Sequence, residues 1–339
     1  MILSFVISFF NAAVRDVNRC LDSIYDSVPE GLSLSEFEVV CVNDGSTLPE
    51  GVAAVEGYLH AGSHPENLIL LHHAVNKRQG AGRNTAMQVA KGRYIQYLDI
   101  DDFMAEGAFE HIMTCIGRYE GVDVMRFGEH IADESGNIIR PGKSDDRHFP
   151  QVISGRDYAL SNYIPPEVWR FLYRREYLEE QKFSFVERRF FEDTDYSIKA
   201  IIYAKRMVVV PFSTIVHTFN PYQTTKIGYS EVKICDFYYL YYRIGEVIGS
   251  VYDKDRELGD RLLASYSENM RQIMLRSYIW KLPYRRIREM LVKYPPVGGV
   301  KLPPVLAAMR RWPRAMAVAI AAVSPAIRLI YKLYILARR

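Results

Sequence analysis

The stretch Tyr94-Ile-Gln-Tyr-Leu-Asp-Ile-Asp-Asp-Phe103 is a short apolar run that ends in three carboxylates. The apolar part predicts a buried strand, and the carboxylates follow at its carboxyl end. Three further apolar runs precede it, separated by segments with helical spacing: Leu3–Ser8, Phe37–Val42 and Leu68–Leu71. This alternation predicts a parallel sheet covered by helices on both faces. Ligands bind such sheets beyond the carboxyl ends of the strands, where the three carboxylates lie.

The alternation continues to Phe127 and then stops. Helical spacing predicts helices over residues 13–28, 81–90 and 107–119, and Thr47-x-x-Glu50 has the pattern of a capping box that opens another helix. Residues 128–165 predict a hairpin and a loop, and residues 166–220 predict mixed strand and helix. From Ile234 the chain is helical and aromatic, with a second helix over 257–282, and prolines from Pro283 onward predict a linker.

Composition excludes several classes of protein. The chain has 339 residues, of which 49% are hydrophobic and 13% aromatic, so it is neither disordered nor collagen-like. Its four cysteines form no CxxC pair, which argues against a zinc site or a disulfide scaffold and favours a reducing compartment. The first ten residues have no basic region and predict a strand rather than a signal peptide.

Charge is distributed unevenly along the chain. Nine basic residues and no acidic ones follow Met290, whereas the rest of the chain carries 34 basic and 40 acidic residues. An acidic body with a basic, apolar tail favours contact with an anionic lipid surface over contact with nucleic acid. The longest uncharged window of the tail, residues 315–327, is shorter than the roughly 18 residues that a membrane span needs.

Three candidate groups lie in the first half of the chain. Asp99, Asp101 and Asp102 repel one another unless a cation neutralises them, and their oxygen atoms suit Mg²⁺ or Mn²⁺; the alternative is a solvated acidic turn. Asp44 ends another predicted strand and can accept a hydrogen bond from a base or a ribose, or form an ordinary Asp-Gly turn. Arg83 follows two small residues and can pair with phosphate, fix the acidic cluster, or be an exposed arginine where a helix starts.

The second half offers further candidates. The acidic run around Glu192-Asp193 can supply a general base, or it can be the acidic first turn of a helix. His217 can ligate a metal or a phosphate, or be a satisfied structural histidine. Trp169 and the tyrosines at 238–242 can form a sugar platform or pack in the core.

In combination, these motifs closely resemble glycosyltransferase family 2. The segments that carry the resemblance are Phe5-Val-Ile-Ser-Phe-Phe-Asn-Ala12, Val39-Val-Cys-Val-Asn-Asp-Gly-Ser46, Gly82-Arg-Asn84 and the stretch from Tyr94 to Phe103. The resemblance is strong over residues 2–130, moderate over 165–225, and does not cover the tail. It implies a GT-A fold, an α/β class with a Rossmann-like, mostly parallel sheet and flanking helices, here with a C-terminal helical extension.

The resemblance also implies roles for individual residues. Asp44 would contact the nucleotide base, Arg83 would face the diphosphate, and Asp193 would be the catalytic base. Asp99 and Asp101 would be the DxD pair, with Asp101 nearest a Mn²⁺ or Mg²⁺ ion. Two segments depart from the family pattern. Ser8-Phe9-Phe10-Asn11 replaces Pro-x-Tyr-Asn, so that Phe10 can stack on a base and Asn11 keeps its place, and the segment from His217 replaces a basic one.

These inferences predict an inverting enzyme that moves a hexosyl or N-acetylhexosaminyl group from a nucleotide-diphosphate sugar, taken as a UDP-sugar, to a glycan or lipid-linked acceptor in cell-surface polysaccharide synthesis. We expect residues 1–130 to bind the donor and 131–225 to bind the acceptor within one catalytic domain. Residues 226–282 would form a helical extension, and 283–339 a tail that holds this cytoplasmic enzyme on the inner face of the cell membrane.

Three alternatives remain at this point. A sugar nucleotidyltransferase shares the α/β layout but would need a basic, glycine-rich loop after the first strand, where Phe10-Asn11-Ala12-Ala13 stands. A non-catalytic nucleotide-sugar-binding or scaffold protein would be favoured if the acidic cluster bound no metal. A nucleic-acid binder would use the tail, and the acidic body argues against it.

Overall fold

The computed structural model describes residues 1–60, 66–143, 145, 148–219, 230–279 and 282–294, with single residues at 304, 308, 311, 312 and 315. The chain forms two compact units, Met1–Lys226 and Ile227–Arg339. The first unit contains both predicted halves of the catalytic domain. The predicted tail at 283–339 lies outside the described residues, apart from 283–294 and the five single positions.

The first unit contains a single nine-stranded sheet within the described residues. Its strands are β1 (Leu3–Phe9), β2 (Phe37–Asn43), β3 (Leu68–His72), β4 (Tyr94–Asp99), β5 (Phe103–Met104), β6 (Val124–Ala132), β7 (Ile138–Arg140), β8 (Phe171–Arg174) and β9 (Met207–Thr218). All residues of β1 and β2 are buried, because helices cover both faces of the sheet.

The first four strands are parallel in the order β3-β2-β1-β4. Their register aligns Phe9 with Asn43, and Ser8 with Asp99. The strands therefore end together, and the residues that follow them meet at one edge of the sheet.

The other strands make the sheet mixed. β8 lies between β4 and β6 and is antiparallel to both, whereas β6 and β9 are parallel. β5 pairs antiparallel with β9 and places Phe103 opposite Val216. The end of β9 therefore returns to the turn that follows β4. The mostly parallel arrangement predicted from the sequence describes the first four strands, and the later chain adds antiparallel pairs because it enters by hairpins and reversals.

Seven helices of the described chain belong to the first unit. They are α1 (Val14–Tyr25), α2 (Glu50–His60), α3 (Gln79–Met87), α4 (Ala108–Arg118), α5 (Gly155–Ser161), α6 (Arg175–Glu180) and α7 (Glu192–Ile202). α2 begins at Glu50, two residues later than a capping box with Thr47 as the N-cap requires. That prediction is wrong because the Thr47 side chain is bonded to Asn11 across the loop.

Two apolar clusters hold the helices on the sheet. α1, α2 and α4 cover one face, where Phe5, Phe37 and Phe109 pack edge to face with centroids 5.0–6.4 Å apart. α3, α6 and α7 cover the other face around Tyr97 and Tyr196. Alternate residues of β1 enter the two clusters, as the two-residue period of a strand requires.

The second unit contains α8 (Glu231–Tyr252), α9 (Arg256–Ile279) and α10 (Tyr284–Lys293). Tyr241 packs on Tyr266 with centroids 5.7 Å apart, so this part of the tyrosine cluster joins α8 to α9 as core. The linker predicted from Pro283 is wrong for residues 284–293, because Pro283 precedes the first turn of α10, a place where proline is well tolerated. No helix in the described residues is both long and apolar enough to cross a membrane.

Candidate functional site

The acidic cluster lies directly beyond β4. Asp99 ends the strand, and one oxygen atom from each of Asp99, Asp101 and Asp102 lies within 4.8 Å of the others. Asp99 and Asp101 are partly exposed and Asp102 is buried. Three carboxylates this close favour a cation among them.

Arg83 joins this cluster to the second half of the chain. Its Nη2 atom donates to Asp99 Oδ1 at 2.8 Å and its Nη1 atom to Glu192 Oε1 at 3.0 Å. The guanidinium is 3% exposed, and Gln79 Nε2 adds a second donor to Asp99 Oδ1 at 2.6 Å. Of the roles considered from the sequence, the structure places Arg83 in the one that fixes the acidic cluster.

The two glycines before Arg83 allow α3 to approach its neighbours closely. A Cβ atom on Gly82 would lie 2.0 Å from Ser8 Oγ, and one on Gly80 would lie 2.8 Å from Glu192 Cγ. A Cβ atom essentially never lies within 3.0 Å of another non-bonded heavy atom, so a side chain at either position would force its neighbours to shift. The glycines thereby set the position of Arg83 between β1 and α7.

Asp102 faces the end of β9. His217 Nδ1 donates to its carboxylate at 3.0 Å, and the Thr218 backbone N–H donates at 2.8 Å. Burial raises the pKa of Asp102 to about 7, with His217 opposing the rise and the two other carboxylates adding to it. Burial lowers the pKa of His217, but the bond to Asp102 and the neighbouring carboxylates outweigh it and raise the pKa above its ordinary value.

The indole of Trp169 stacks on the His217 imidazole, with centroids 5.3 Å apart and planes 17° apart. Trp169 is buried, so it holds the histidine ring in place. The sequence suggested His217 as a ligand or a structural residue, but it could not indicate Asp102 as its partner, because that contact depends on the pairing of β5 with β9.

Asp44 is 1% exposed and lies in a network of its own. Its carboxylate accepts from His73 Nδ1 at 2.6 Å and from the Lys77 backbone N–H at 2.9 Å. His73 Nε2 lies 2.9 Å from Thr85 Oγ1. Sequence reasoning missed His73, although its position directly after β3, the neighbour of β2, was a signal that could have found it.

Phe10 and Asn11 follow β1 at the same edge. Phe10 is 46% exposed, so its ring is accessible to a ligand at this edge. Asn11 has φ of 48°, and its Oδ1 accepts from the backbone N–H groups of Thr47 and Leu48 at 2.8 and 3.0 Å. Asn11 therefore ties the loop after β1 to the loop after β2.

Three acids occupy the first turn of α7, as expected for a helix N-terminus. Glu192 is buried against Arg83, and Asp195 is buried and paired with Lys199 at 2.7 Å. Asp193 is partly exposed. Burial raises the pKa of Asp193 to about 8, the Glu192 charge adds to the rise, and Arg83 opposes it.

The geometry thus places three groups along one edge of the sheet: a buried carboxylate at 44, the acidic cluster after β4, and the carboxylates that open α7. A polar ligand with an anionic centre fits this row if a cation is bound at the cluster. Asp193 can exchange a proton near neutral pH, because its pKa lies close to that range.

The family described as Glycosyl transferase family 2 matches residues 4–181. The uncharacterized glycosyltransferase EpsJ of Bacillus subtilis (strain 168) is 25% identical over 67% of this chain and 64% of its own. The poly(ribitol-phosphate) beta-glucosyltransferase of Bacillus spizizenii is 32% identical over 32% of this chain and 16% of its own. The chain thus spans less than two thirds of the length of these relatives.

Among solved structures, residues 1–349 of S. aureus TarS in complex with UDP-GlcNAc are similar, with a TM-score of 0.64 and 18% identity over 97% of this chain and 92% of that one. At this level of identity the likeness concerns the fold, and it confirms the α/β class expected from the sequence.

Proposed function

The chain belongs to glycosyl transferase family 2, and on that premise we propose that it is an inverting glycosyltransferase. It moves a hexosyl or N-acetylhexosaminyl group from a UDP-sugar to a hydroxyl group of a glycan or lipid-linked acceptor in cell-surface polysaccharide synthesis. The name of the B. spizizenii relative describes glucose transfer to poly(ribitol phosphate), which supports a polymeric acceptor. The TarS structure holds UDP-GlcNAc, which supports a UDP-sugar donor.

One observation carries the proposal. Arg83 bridges Asp99 after β4 and Glu192 at the start of α7, although 109 residues separate Arg83 from Glu192 in the chain. The bridge connects Asp99, a candidate metal ligand, to Glu192, the residue next to the candidate base Asp193. A buried arginine shared by two acids is costly to desolvate, and such networks cluster at functional sites, so the bridge supports a reaction site at this edge of the sheet.

In this proposal the donor lies along the carboxyl edge of the sheet. Asp44 receives the base, with His73 and Lys77 fixing its carboxylate, and Phe10 stacks on the base. Asn11 contributes by holding the loop after β1 against residues 46–48. Aromatic stacking and a buried carboxylate together can select a base by shape and by its N–H group.

The acidic cluster fits a divalent cation, because its donors are all hard oxygen atoms within 4.8 Å of one another. Asp99 and Asp101, the two partly exposed members, would hold Mn²⁺ or Mg²⁺, whereas Asp102 is buried against His217 and Thr218. When bound, the ion would act as a Lewis acid that neutralises charge on the leaving diphosphate.

Asp193 is the proposed base. Its carboxylate takes the proton from the acceptor hydroxyl, and the acceptor oxygen bonds to the anomeric carbon on the face opposite the leaving group. The bond between that carbon and the diphosphate oxygen breaks, and its electron pair stays on the diphosphate. One displacement of this kind inverts the anomeric configuration.

We also propose that the enzyme is peripheral on the inner face of the cell membrane. Support comes from the sequence after Met290, which carries nine basic residues and no acidic ones. Each basic side chain near an anionic leaflet contributes about 1 kcal/mol to binding.

The test is a screen of nucleotide sugars with Mn²⁺, in which slow hydrolysis releases the nucleotide diphosphate without an acceptor. We expect one UDP-sugar to be hydrolysed, Asp101→Ala to slow hydrolysis about 10³-fold, and Asp26→Ala, an exposed control at the end of α1, to leave it unchanged. Full activity in excess chelator contradicts the metal assignment. Tight UDP binding with no hydrolysis and no transfer favours a non-catalytic binding protein.

A further inference from the structure

Arg78 has a backbone conformation that side chains rarely adopt. Its φ of 70° and ψ of 165° lie in a region that is essentially restricted to glycine. A residue other than glycine there costs about 1–3 kcal/mol and persists where the surroundings fix it. An arginine is therefore unexpected at this position, where glycine would be free of strain.

Contacts on both sides of Arg78 fix the backbone. The preceding N–H, that of Lys77, donates to the Asp44 carboxylate, and the Arg78 carbonyl accepts from Ala81 N at 3.0 Å as α3 begins. The Lys77 carbonyl accepts from Arg188 N at 3.0 Å. Within two residues the backbone thus bonds to Asp44, to the first turn of α3 and to the loop at Arg188. These bonds explain the backbone conformation of Arg78, but they do not explain why its side chain is an arginine.

The guanidinium of Arg78 is held without an acidic partner. Its Cζ atom lies 3.5 Å from the centroid of the Phe190 ring, so the planar group stacks on the ring. Among the described residues, no carboxylate is within ion-pair distance of Arg78, Lys77 or Arg188. Stacking fixes the plane of the guanidinium and leaves its N–H edge available, an arrangement suited to a bidentate anion.

Arg78 lies near the start of α7, the helix that carries the proposed base. Phe190 directly precedes Phe191, the residue before α7, and Asp193 is the second residue of that helix. The positive charge of Arg78 opposes the rise that burial causes in the pKa of Glu192, so it lies within electrostatic reach of the residue next to Asp193. Arg188, on the same loop as Phe190, is exposed and adds a second positive charge.

We propose that Arg78, stacked on Phe190 and assisted by Arg188, binds a phosphate group carried by the acceptor. This inference rests on the proposed function and names the substrate class of that site: an acceptor with a phosphate ester or diphosphate close to the hydroxyl that is glycosylated. The phosphate can belong to a polyol-phosphate polymer or to a lipid diphosphate. Arg78 is a specificity-determining residue for the acceptor and leaves the donor nucleotide to Asp44 and the acidic cluster.

The experiment measures binding by calorimetry to protein saturated with UDP and Mn²⁺, so that the donor site is filled. The ligands are a glycerol-phosphate oligomer, a short-chain prenyl-diphosphate sugar, and a neutral gluco-oligosaccharide of matched length. The first two separate the polymer source of phosphate from the lipid source. We expect wild type to bind at least one phosphate ligand more tightly than the neutral one.

Arg78→Gly is the informative variant, because glycine adopts this backbone without strain and its thermal stability should equal or exceed that of wild type. We expect it to weaken phosphate-ligand binding about 10-fold or more, with UDP affinity within about threefold of wild type. Arg118→Gln is the matched control, since Arg118 also stacks on a phenylalanine ring, that of Phe149 at 4.3 Å, outside the site. It should change neither affinity.

Two results overturn the inference. If Arg78→Gly loses UDP binding and phosphate-ligand binding equally, Arg78 binds the donor and not the acceptor. If wild type binds the neutral and the phosphate ligands equally well, the site does not recognise a phosphate on the acceptor. Wild-type protein that fails to bind UDP contradicts the proposed function instead. Phosphate-ligand binding by wild type and Arg78→Gly without UDP then decides the role of Arg78 separately.

Discussion

Asp193 is held where burial opposes its charge, and its pKa is raised to about 8. Because a general base acts in its ionised form, transfer should speed up as pH rises through about 8. Replacement by asparagine removes the base while keeping its size, so we expect Asp193→Asn to lower turnover about 10²–10⁴-fold. Donor affinity should be retained, and calorimetry beside a transfer assay checks both. Turnover within about threefold of wild type would make Glu192 the candidate base.

The same residue links stability to pH. The pKa of Asp193 is raised in the folded state. Its contribution to the free energy of unfolding is therefore fully present near pH 4 and is lost as pH rises through about 8. Asp193→Asn should therefore be more stable than wild type at pH 9, by about 1–3 kcal/mol, and similar to it at pH 4. Thermal unfolding between these limits measures the difference, with the exposed Asp26→Asn as control. Parallel curves for wild type and Asp193→Asn would disprove it.

Arg83, unlike Asp193, is expected to stabilise the fold as well as to serve the site. Arg83→Met leaves Asp99 and Glu192 without their shared cation, and unpairing a buried carboxylate costs about 3–5 kcal/mol. We expect denaturant unfolding to show a loss of that size. Arg285→Met, which removes a side chain that is 90% exposed, should change stability by less than about 1 kcal/mol. A loss as small as that for Arg83→Met would mean that the two acids are protonated or solvated.

At the scale of elements, α3 packs closely on β1 because the side chain of Gly82 is only a hydrogen atom. Gly82→Ala places a Cβ atom 2.0 Å from Ser8 Oγ, so helix and strand must separate, at a cost of about 1–3 kcal/mol. Because Arg83 moves with the helix, hydrolysis of the donor should fall as well. In α2, Gly57→Ala meets nothing within 4 Å and should stabilise the protein by about 0.5–1 kcal/mol. Unfolding midpoints of the two variants that shift in the same direction would contradict this account.

The elements also show what the sequence could predict. Apolar runs placed β1, β2 and β4 within one residue of their observed ends, and the family and fold class inferred from their motifs are confirmed. Strand ends predicted that Asp44 and Asp99 share an edge, because parallel strands end together. The partners of these residues could not be predicted in the same way. His217 reaches Asp102 across 115 residues through the β5–β9 pairing, and no local pattern encodes that register.

At the scale of the whole molecule, we expect the basic tail after Met290 to bind anionic membranes. Removal of residues 304–339 should release the protein from anionic vesicles and leave donor hydrolysis unchanged, since that segment carries both basic and apolar residues. Vesicle sedimentation measures this. A full-length variant with Arg310, Arg311 and Arg314 changed to Gln separates charge from apolar contact and should bind weakly. Equal sedimentation of the full and shortened chains would favour a tail that packs on the protein itself.

The position of β8 has a consequence for synthesis of the chain on the ribosome. β8 lies between β4 and β6 and pairs with one edge of each. Those two edges stay unpaired until residues 171–174 have been made. Roughly 70 residues separate β4 from β8, which at about 5–20 residues per second exposes an apolar edge for several seconds. Nascent chains of that length therefore present strand edges that favour aggregation and capture by chaperones.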